Sequence, residues 1–321
     1  MKSKKKFLIT GGAGFIGFHL AKKLSSLGHY IDIIDNFSRG KYDKEFKDFI
    51  NKKNISFYKS DLNLTTPKLS NNYNYIFHLA AIVGVKKVLN EPYKVLIDNV
   101  ESLKNMIEVG RKQKKLERFI FTSTSEVYAG SLYDNMLKFP TKEDSVLTLG
   151  NYMNDRNSYM LSKIYGENMC GLSTLPYLIV RPHNIFGERM GMSHVIPEII
   201  KRAKHTKNKK FVVYNPNHKR TFCYIKDAVN MILELTMSKK SLNKIYNIGD
   251  QQNELKIIDL TKKILKLMKK NYLIKKVNIK NFSPLKRIPS TRKLKNVINY
   301  SIQSSLDANL KKTIDWYLSK I

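Results

Sequence analysis

The chain has 321 residues, 42% of them hydrophobic and 11% aromatic, enough to bury the core of a large α/β domain or a domain with a smaller lobe, and too apolar for a disordered chain. Its two cysteines, Cys170 and Cys223, lie far apart, and no run of about 18 apolar residues occurs. A disulfide scaffold, a thiolate metal site and a membrane helix are thereby excluded. The formal charge of +32 is scattered over almost every segment, concentrating at 111–115, 201–210 and 262–276, as solvated lysine faces do and as a nucleic-acid stripe with interleaved aromatics does not.

Short β-branched and aromatic runs alternate with helical patterns. Strands are predicted over 6–10, 30–35, 55–59, 75–80, 118–123 and 177–181, and helices over 15–27, 93–113, 158–171 and 195–204. That alternation predicts an α/β fold, a doubly wound parallel sheet with helices on both faces. Beyond about residue 183 the pattern is irregular, with short strands near 211–214 and 244–248 and helices near 226–237 and 254–270. The lysine-rich start of the chain leads into glycines, which no secretory signal core carries, so a cytoplasmic protein is expected.

The first strand runs into Thr10-Gly11-Gly12-Ala13-Gly14-Phe15-Ile16-Gly17, whose Gly12, Gly14 and Gly17 fit GxGxxG and open an amphipathic helix. Glycine is required where the turn is tight, where the backbone approaches a pyrophosphate and where helix packs on strand. The second strand ends in Asp35, 18 residues past Gly17, close to the ~20 expected of a carboxylate that accepts from an adenosine ribose. It would repel a 2′-phosphate, so NAD is the expected cofactor, with Arg39 nearby as the opposing feature. A purely structural glycine turn is the lesser alternative.

Phe119 to Thr122 reads as a buried strand, and it runs into Ser123, Thr124, Ser125 and Glu126. Strand ends of this kind are where open α/β sheets bind ligands. Capping is the plainer role for Thr124 and Ser125, and a surface ion pair for Glu126. Further on, Tyr159 and Lys163 stand four apart on one helix face. An ammonium beside the phenol would lower a pKa that starts near ~10, and such a tyrosine can take a proton from a sugar hydroxyl. His78 reads as structural, His183 and His194 border the expected cleft without metal-ligand spacing, and Cys170 and Cys223 read as core; no metal is expected.

Together these residues resemble the extended short-chain dehydrogenase/reductases, specifically the NAD-dependent nucleotide-sugar epimerase/dehydratase family. The resemblance is carried by the glycine loop, Asp35 to Gly40, Asp61-Leu62, His78 to Ala81, Asn99, the Ser123 to Tyr128 run, and Tyr159 with Lys163. It continues through Arg181 to Asn184, Arg220 to Phe222 with Asp227, and Arg287 to Pro289. It implies a Rossmann domain over 1–183 that includes the catalytic residues, and a lobe over 184–321 that mainly binds nucleotide-sugar, with some segments returning to the first domain. It implies that Gly11, Gly14, Phe15, Ile16, Gly17, Asp35, Asn36, Ser38, Arg39, Gly40, Asp61, Leu62, Leu79, Ala80, Ala81, Asn99, Tyr159 and Lys163 hold NAD. Thr124, Glu126, Tyr159 and Lys163 would be catalytic, with Tyr159 the base. Thr124, Ser125, Asn184, Arg220 and Arg287 would touch a nucleotide-diphosphate sugar, a UDP-sugar being the expected one.

The implied chemistry begins with oxidation at sugar C4 to a 4-keto intermediate, which is then epimerised, dehydrated or decarboxylated. Glu126 departs from many simple 4-epimerases, the Thr124-Ser125-Glu126 triplet is similar to GDP-mannose-type dehydratases and UDP-glucuronate-type decarboxylases, and Ser125 departs from dTDP-glucose dehydratases, which usually carry Asp there. Arg156 and the Arg-x-Pro-Ser segment at 287–290 are similar to UDP-glucuronate-type decarboxylases. The branch stays open at this level. Relatives pair through the helices at 93–113 and 158–171, so a homodimer is expected. A competing class, an NAD-sensing or RNA-associated binding protein on the same fold, would use the basic charge and has no need of the Thr124, Tyr159 and Lys163 set.

Overall fold

The computed structural model describes residues 4–207, 209–279, 285–302 and 304–321. The first part of the chain alternates as its apolar runs require: β1 (Lys6–Thr10), α1 (Phe15–Ser26), β2 (Tyr30–Asp35), α2 (Lys44–Ile50), β3 (Ile55–Lys59), β4 (Tyr75–His78), α3 (Val85–Asn90), α4 (Pro92–Arg111), β5 (Arg118–Thr122), α5 (Ala129–Tyr133), α6 (Asn157–Leu172) and β6 (Tyr177–Pro182). The remainder is β7 (Ile185–Phe186), α7 (Val195–His205), β8 (Lys210–Tyr214), β9 (Lys219–Thr221), β10 (Cys223–Tyr224), α8 (Ile225–Met237), β11 (Lys244–Ile248), β12 (Glu254–Lys256), α9 (Ile257–Leu267), β13 (Leu273–Val277), β14 (Lys286–Arg287), α10 (Arg292–Lys295) and α11 (Leu306–Leu318).

Seven strands form one parallel sheet in the order β11-β6-β5-β4-β1-β2-β3. Strands covered on both faces by helices must be apolar along their length, and Phe7, Leu8 and Ile9 of β1 are fully buried, as are Ile31 and Ile33 of β2. Asp32 interrupts β2 and is tolerated because the Tyr73 hydroxyl donates to it and Lys6 Nζ lies 3.3 Å away. The strand order reverses between β1 and β4, so the two crossovers leave on opposite faces and open a crevice at the carboxyl ends of the strands. Thr10, Asp35, His78, Thr122 and Pro182 all end there.

The strand predicted over 75–80 stops at His78, because Leu79 to Ala81 leave the sheet for the crevice wall. The helix predicted near 254–270 starts at Ile257, its first residues being β12, antiparallel to β9. Helices α2 and α11 were not foreseen from the sequence. Each has a legible start, since Asp43 accepts from Phe46 N and Ser305 from Ala308 N. His78 is structural as expected: its Nδ1 is 2.9 Å from Thr10 Oγ1, and burial pushes its pKa down to about 3. Cys170 and Cys223 are buried and unpaired. Residues after 184 divide between the sheet, through β11 and α8, and a lobe built from β8, β9, β12–β14, α7, α9 and α11.

Candidate active site

The crevice is a cavity of about 470 Å³, within the range of small-molecule sites. The glycine loop forms its floor. A Cβ at Gly17 would sit 2.3 Å from Gly11 O, and one at Gly11 would sit 2.8 Å from Ala80 N, at a φ of +70°. Gly12 does different work: a Cβ there would sit 2.5 Å from Ile33 Cγ2 on β2, and Gly12 does not line the cavity. Helix α1 follows with Gly14 as an N-cap that has no side-chain cap bond and no acidic residue in its first turn. Its free N–H groups and dipole therefore point at the cavity as an anion-binding end. Asp35 closes the far side: its carboxylate accepts from Ala13 N at 3.0 Å and Phe37 N at 2.8 Å. Burial raises its pKa while those N–H groups hold it down.

The walls carry almost every residue singled out from the sequence. Gly11, Gly14, Phe15, Ile16, Gly17, Asp35, Asn36, Ser38, Arg39, Gly40, Asp61, Leu62, Leu79, Ala80, Ala81, Asn99, Thr124, Ser125, Glu126, Tyr159, Lys163, Asn184 and Arg287 all line it. Asp61 accepts from Asn36 Nδ2 at 2.9 Å, linking the ends of β2 and β3. Asn99 is committed to the protein: its amide accepts from Ile82 N at 2.7 Å and donates to Ile82 O and Ser162 Oγ. It holds the Ile82 segment onto α4 and α6, and so shapes the wall with its backbone. Arg220 lies outside the lining, donating to Lys219 O and Leu285 O, with burial and then the neighbouring Arg287 lowering its pKa to about 9.

The chemistry-bearing residues meet where β5 ends beside α6. Lys163 Nζ donates to Thr122 O at 2.8 Å and lies 4.7 Å from the Phe121 ring and 5.9 Å from the Tyr159 ring. Burial lowers its pKa to about 8. Thr124 caps the short turn Ser125–Tyr128 through Glu126 N and hydrogen-bonds the Tyr159 phenol. The sequence argument expected Lys163 to pull Tyr159 toward phenolate. The structure reverses that: burial, then the Glu126 carboxylate, push the phenol up to about 12, opposed by Thr124 and by Arg39. Lys163 spends its charge on a backbone carbonyl and an aromatic face instead.

Glu126 is not free either. Arg287 Nη1 donates to its Oε1 at 2.8 Å, and Arg287 first, with Arg156 and Arg220 beyond it, holds the carboxyl below the usual range. The pairing follows from the strands, since β14 runs parallel to β9 with Arg287 opposite Arg220. His183 does not border the cleft as foreseen. It is buried beneath it, its Nε2 3.0 Å from Asn247 Oδ1 and its pKa pushed to about 3 by burial. Sequence reasoning missed a second wall, Arg189 to Gly191, which follows β7 and has no periodic signal. Arg189 donates from Nη1 to both oxygens of Asp43 at 2.9 and 2.8 Å and to Glu45 at 3.2 Å, which ties that loop to α2.

The glycine floor and the Asp35 wall match a dinucleotide in shape and donor set, and residues 7–249 match the model of the NAD dependent epimerase/dehydratase family. The chain belongs to that family. It is 33% identical over 98% of both chains to a UDP-N-acetyl-alpha-D-glucosaminuronate decarboxylase of Bacillus cytotoxicus. A UDP-glucuronic acid decarboxylase 1 of Xenopus tropicalis is 27% identical over all of this chain and 74% of its own. Among solved structures, the UDP-glucuronic acid 4-epimerase of Bacillus cereus with UDP-glucuronic acid and NAD superposes with a TM-score of 0.84, at 23% identity, over 98% of this chain and 99% of that one. The protein is an NAD-dependent enzyme of the nucleotide-sugar epimerase/dehydratase type. Among the described residues, no helix is long and apolar enough to cross a membrane.

Proposed function

We propose that the protein oxidises a UDP-hexuronate at C4 and releases C6 as carbon dioxide, a decarboxylase branch of the family's 4-keto chemistry. The observation that carries this is the Glu126–Arg287 ion pair, with Arg156 and Arg220 close enough to act on the same carboxylate. Three guanidinium groups against one carboxylate leave a net positive corner, which suits a substrate bearing its own carboxylate. Dehydration has the opposite need. An acid must protonate the departing 6-hydroxyl, but residue 125 is Ser and Glu126 is held ionised. Loss of carbon dioxide requires no such acid, because the electron pair of the C5–C6 bond passes to the C4 ketone, C5 then takes up a proton, and C4 regains the hydride and proton it gave up, leaving a UDP-pentose.

Bound in the cavity, NAD supplies reversible two-electron oxidation of a carbinol carbon. Gly11, Gly14, Phe15, Ile16 and Gly17 would hold its pyrophosphate, and Asp35 with Asn36, Ser38, Arg39 and Gly40 its adenosine ribose. Asp61 and Leu62 would flank the adenine, with Leu79, Ala80, Ala81 and Asn99 along the middle. Tyr159 takes the proton of the 4-hydroxyl, Thr124 orients that hydroxyl, and Lys163 holds the nicotinamide ribose. Ser125, Asn184 and Arg287 bind the sugar side. Residues 184–321 serve mainly as the nucleotide-sugar lobe, and Arg220 reaches the substrate by turning from the carbonyls that now hold it.

The test is a panel of UDP-glucuronate, UDP-N-acetylglucosaminuronate, UDP-glucose and dTDP-glucose, with NAD and products read by NMR. A UDP-pentose product with carbon dioxide release is expected from a uronate, and Arg287→Ala should lower that rate by about 10²-fold or more. Recovery of a C4 epimer that keeps C6, or turnover of UDP-glucose alone, would overturn the decarboxylase assignment.

A homodimer is part of the same proposal. Helices α4 and α6 pack on each other, and Tyr93 and Ile97 of α4 and Tyr165 and Leu172 of α6 are exposed. Tyr165 and Leu172 are 55% and 74% exposed, an apolar face that a second copy would cover. Tyr165→Glu should halve the mass measured by light scattering, and an unchanged mass would remove this face from the interface.

A further inference from the structure

The lysine concentrations at 201–210 and 262–276 are separate stretches of sequence, and the fold brings them to one corner. Helices α7 and α9 pack together, and each leads at its carboxyl end into one strand of the β8–β13 pair. The two turns are tied directly. Leu273 N donates to Lys209 O at 2.7 Å, and the Tyr272 hydroxyl donates to Ala203 O and Thr206 O at 3.0 and 3.1 Å. Lys207, Lys209 and Lys210 of one turn are thus set next to Lys269 and Lys270 of the other, all of them exposed. No aspartate or glutamate occurs between Glu198 and Asp227, or between Asp259 and Asp307. Within the two stretches only Arg202, on Glu198, and Lys263, on Asp307, form salt bridges among the described residues. Helix dipoles account for Lys204 and Lys266, which lie in last turns. They do not account for the lysines between α7 and β8, nor for Lys275 and Lys276 on β13.

The strand pair adds an apolar face to this charge. Phe211 and Val213 of β8 are buried, so Lys210, Val212 and Tyr214 face outward, and the register sets Leu273, Lys275 and Val277 of β13 beside them. An outer strand face in water is expected to be polar. This one instead intersperses lysine with apolar side chains, and Leu273 is 68% exposed. None of residues 201–214 or 257–277 lines the active-site cavity, so whatever covers this face leaves the cavity open.

We propose that this corner of the lobe is a docking surface for an anionic phospholipid bilayer: the lysines meet the headgroup phosphates, and Leu273, with Val212 and Val277 beside it, enters the acyl boundary. A surface contact of this kind needs no spanning helix. Lysine carries a point charge on a flexible apolar stem, which suits a fluid array of phosphates. A single-stranded nucleic acid would call for open aromatic rings and free arginine forks. Here Arg202 is spent on Glu198 and Val212 O, and its guanidinium covers the Tyr214 ring at 5.4 Å.

The experiment floats the intact protein with vesicles of phosphatidylcholine, alone or mixed with phosphatidylglycerol, at about 0.1 M salt. The wild type should bind the mixed vesicles, and phosphatidylcholine alone about tenfold more weakly or less. Lys209→Ala, Lys210→Ala and Lys275→Ala together should lower affinity for the mixed vesicles about 100-fold, and Leu273→Ser about tenfold. Lys112→Ala, Lys114→Ala and Lys115→Ala together remove the same charge from the far stretch and should change affinity by about twofold at most. Each variant should keep the wild-type midpoint of urea unfolding, so that lost docking is not lost folding. No binding by the wild type, or an equal loss in the variant at 112–115, overturns the proposal. So does unchanged affinity in Leu273→Ser, and if single-stranded RNA then binds as tightly as the mixed vesicles, the face belongs to a polyanion instead.

Discussion

Tyr159→Phe is expected to lower turnover by about 10²- to 10⁴-fold, the usual worth of a positioned proton acceptor, while the purified protein keeps its NAD. The change removes one oxygen and leaves the ring between α6 and the cavity. The size of the effect follows from the electrostatics. Burial and Glu126 hold the phenol at about 12, and ionising such a group at pH 7 costs on the order of 7 kcal/mol. Thr124 and Arg39 offset part of this within the chain, and a cationic ring bound beside Tyr159 is the remaining source. Phenolate absorbance near the tyrosine ring should therefore appear at lower pH in the protein loaded with oxidised cofactor than in the stripped protein. On the alkaline side, Lys163 loses its charge as pH rises through about 8, so the rate should stop climbing there. A Tyr159→Phe enzyme with more than a tenth of the wild-type rate would remove Tyr159 as the base.

Much of this was legible because the relevant signals are local. Gly11 to Gly17 and Asp35 announce themselves by spacing, since one strand, one turn and one helix fix where they stand. Thr124, Tyr159 and Lys163 were legible for the same reason, each lying at a strand end or on one helix face. What spacing does not carry is how side chains compete for one another once strands from distant parts of the chain are paired. Glu126 and Arg287 are 161 residues apart, and they meet only because β14 joins β9 beside the turn after β5. Read alone, Glu126 was catalytic or else half of a surface ion pair with some lysine, and the strand pairing gives it Arg287 as its partner. Lys163 looked like an activator of Tyr159, and its reach to Thr122 O depends on how α6 lies against β5. His183 misled for the same reason: a residue just past a strand end can turn inward as easily as out.

The Arg181–Glu167 pair is the part of the molecule whose loss should cost the most stability, and sequence patterning gave it no weight. Arg181 sits in β6 and Glu167 in α6, with 3% and 8% of their side chains exposed. The guanidinium donates from Nε at 2.8 Å and from Nη2 at 2.6 Å to the two carboxylate oxygens. Its Nη1 donates to the Tyr128 hydroxyl at 2.7 Å and to Glu143 O at 3.0 Å. Ser123 donates to Glu167, and Tyr128 to Asn247 on β11. The network thus joins β5, β6, α6 and β11 directly beneath Ser123 and Thr124. Two buried charges are no gain in themselves, because desolvation consumes most of their attraction. Removing one partner is different. Arg181→Met leaves Glu167 buried without its cation, and stability should fall by about 3–5 kcal/mol in urea unfolding. Arg181→Met with Glu167→Leu restores an uncharged interior and should recover part of that loss. If the double variant is no more stable than the single one, the pair is not the energetic unit described, and the fall belongs to Tyr128 and Glu143 losing their partner.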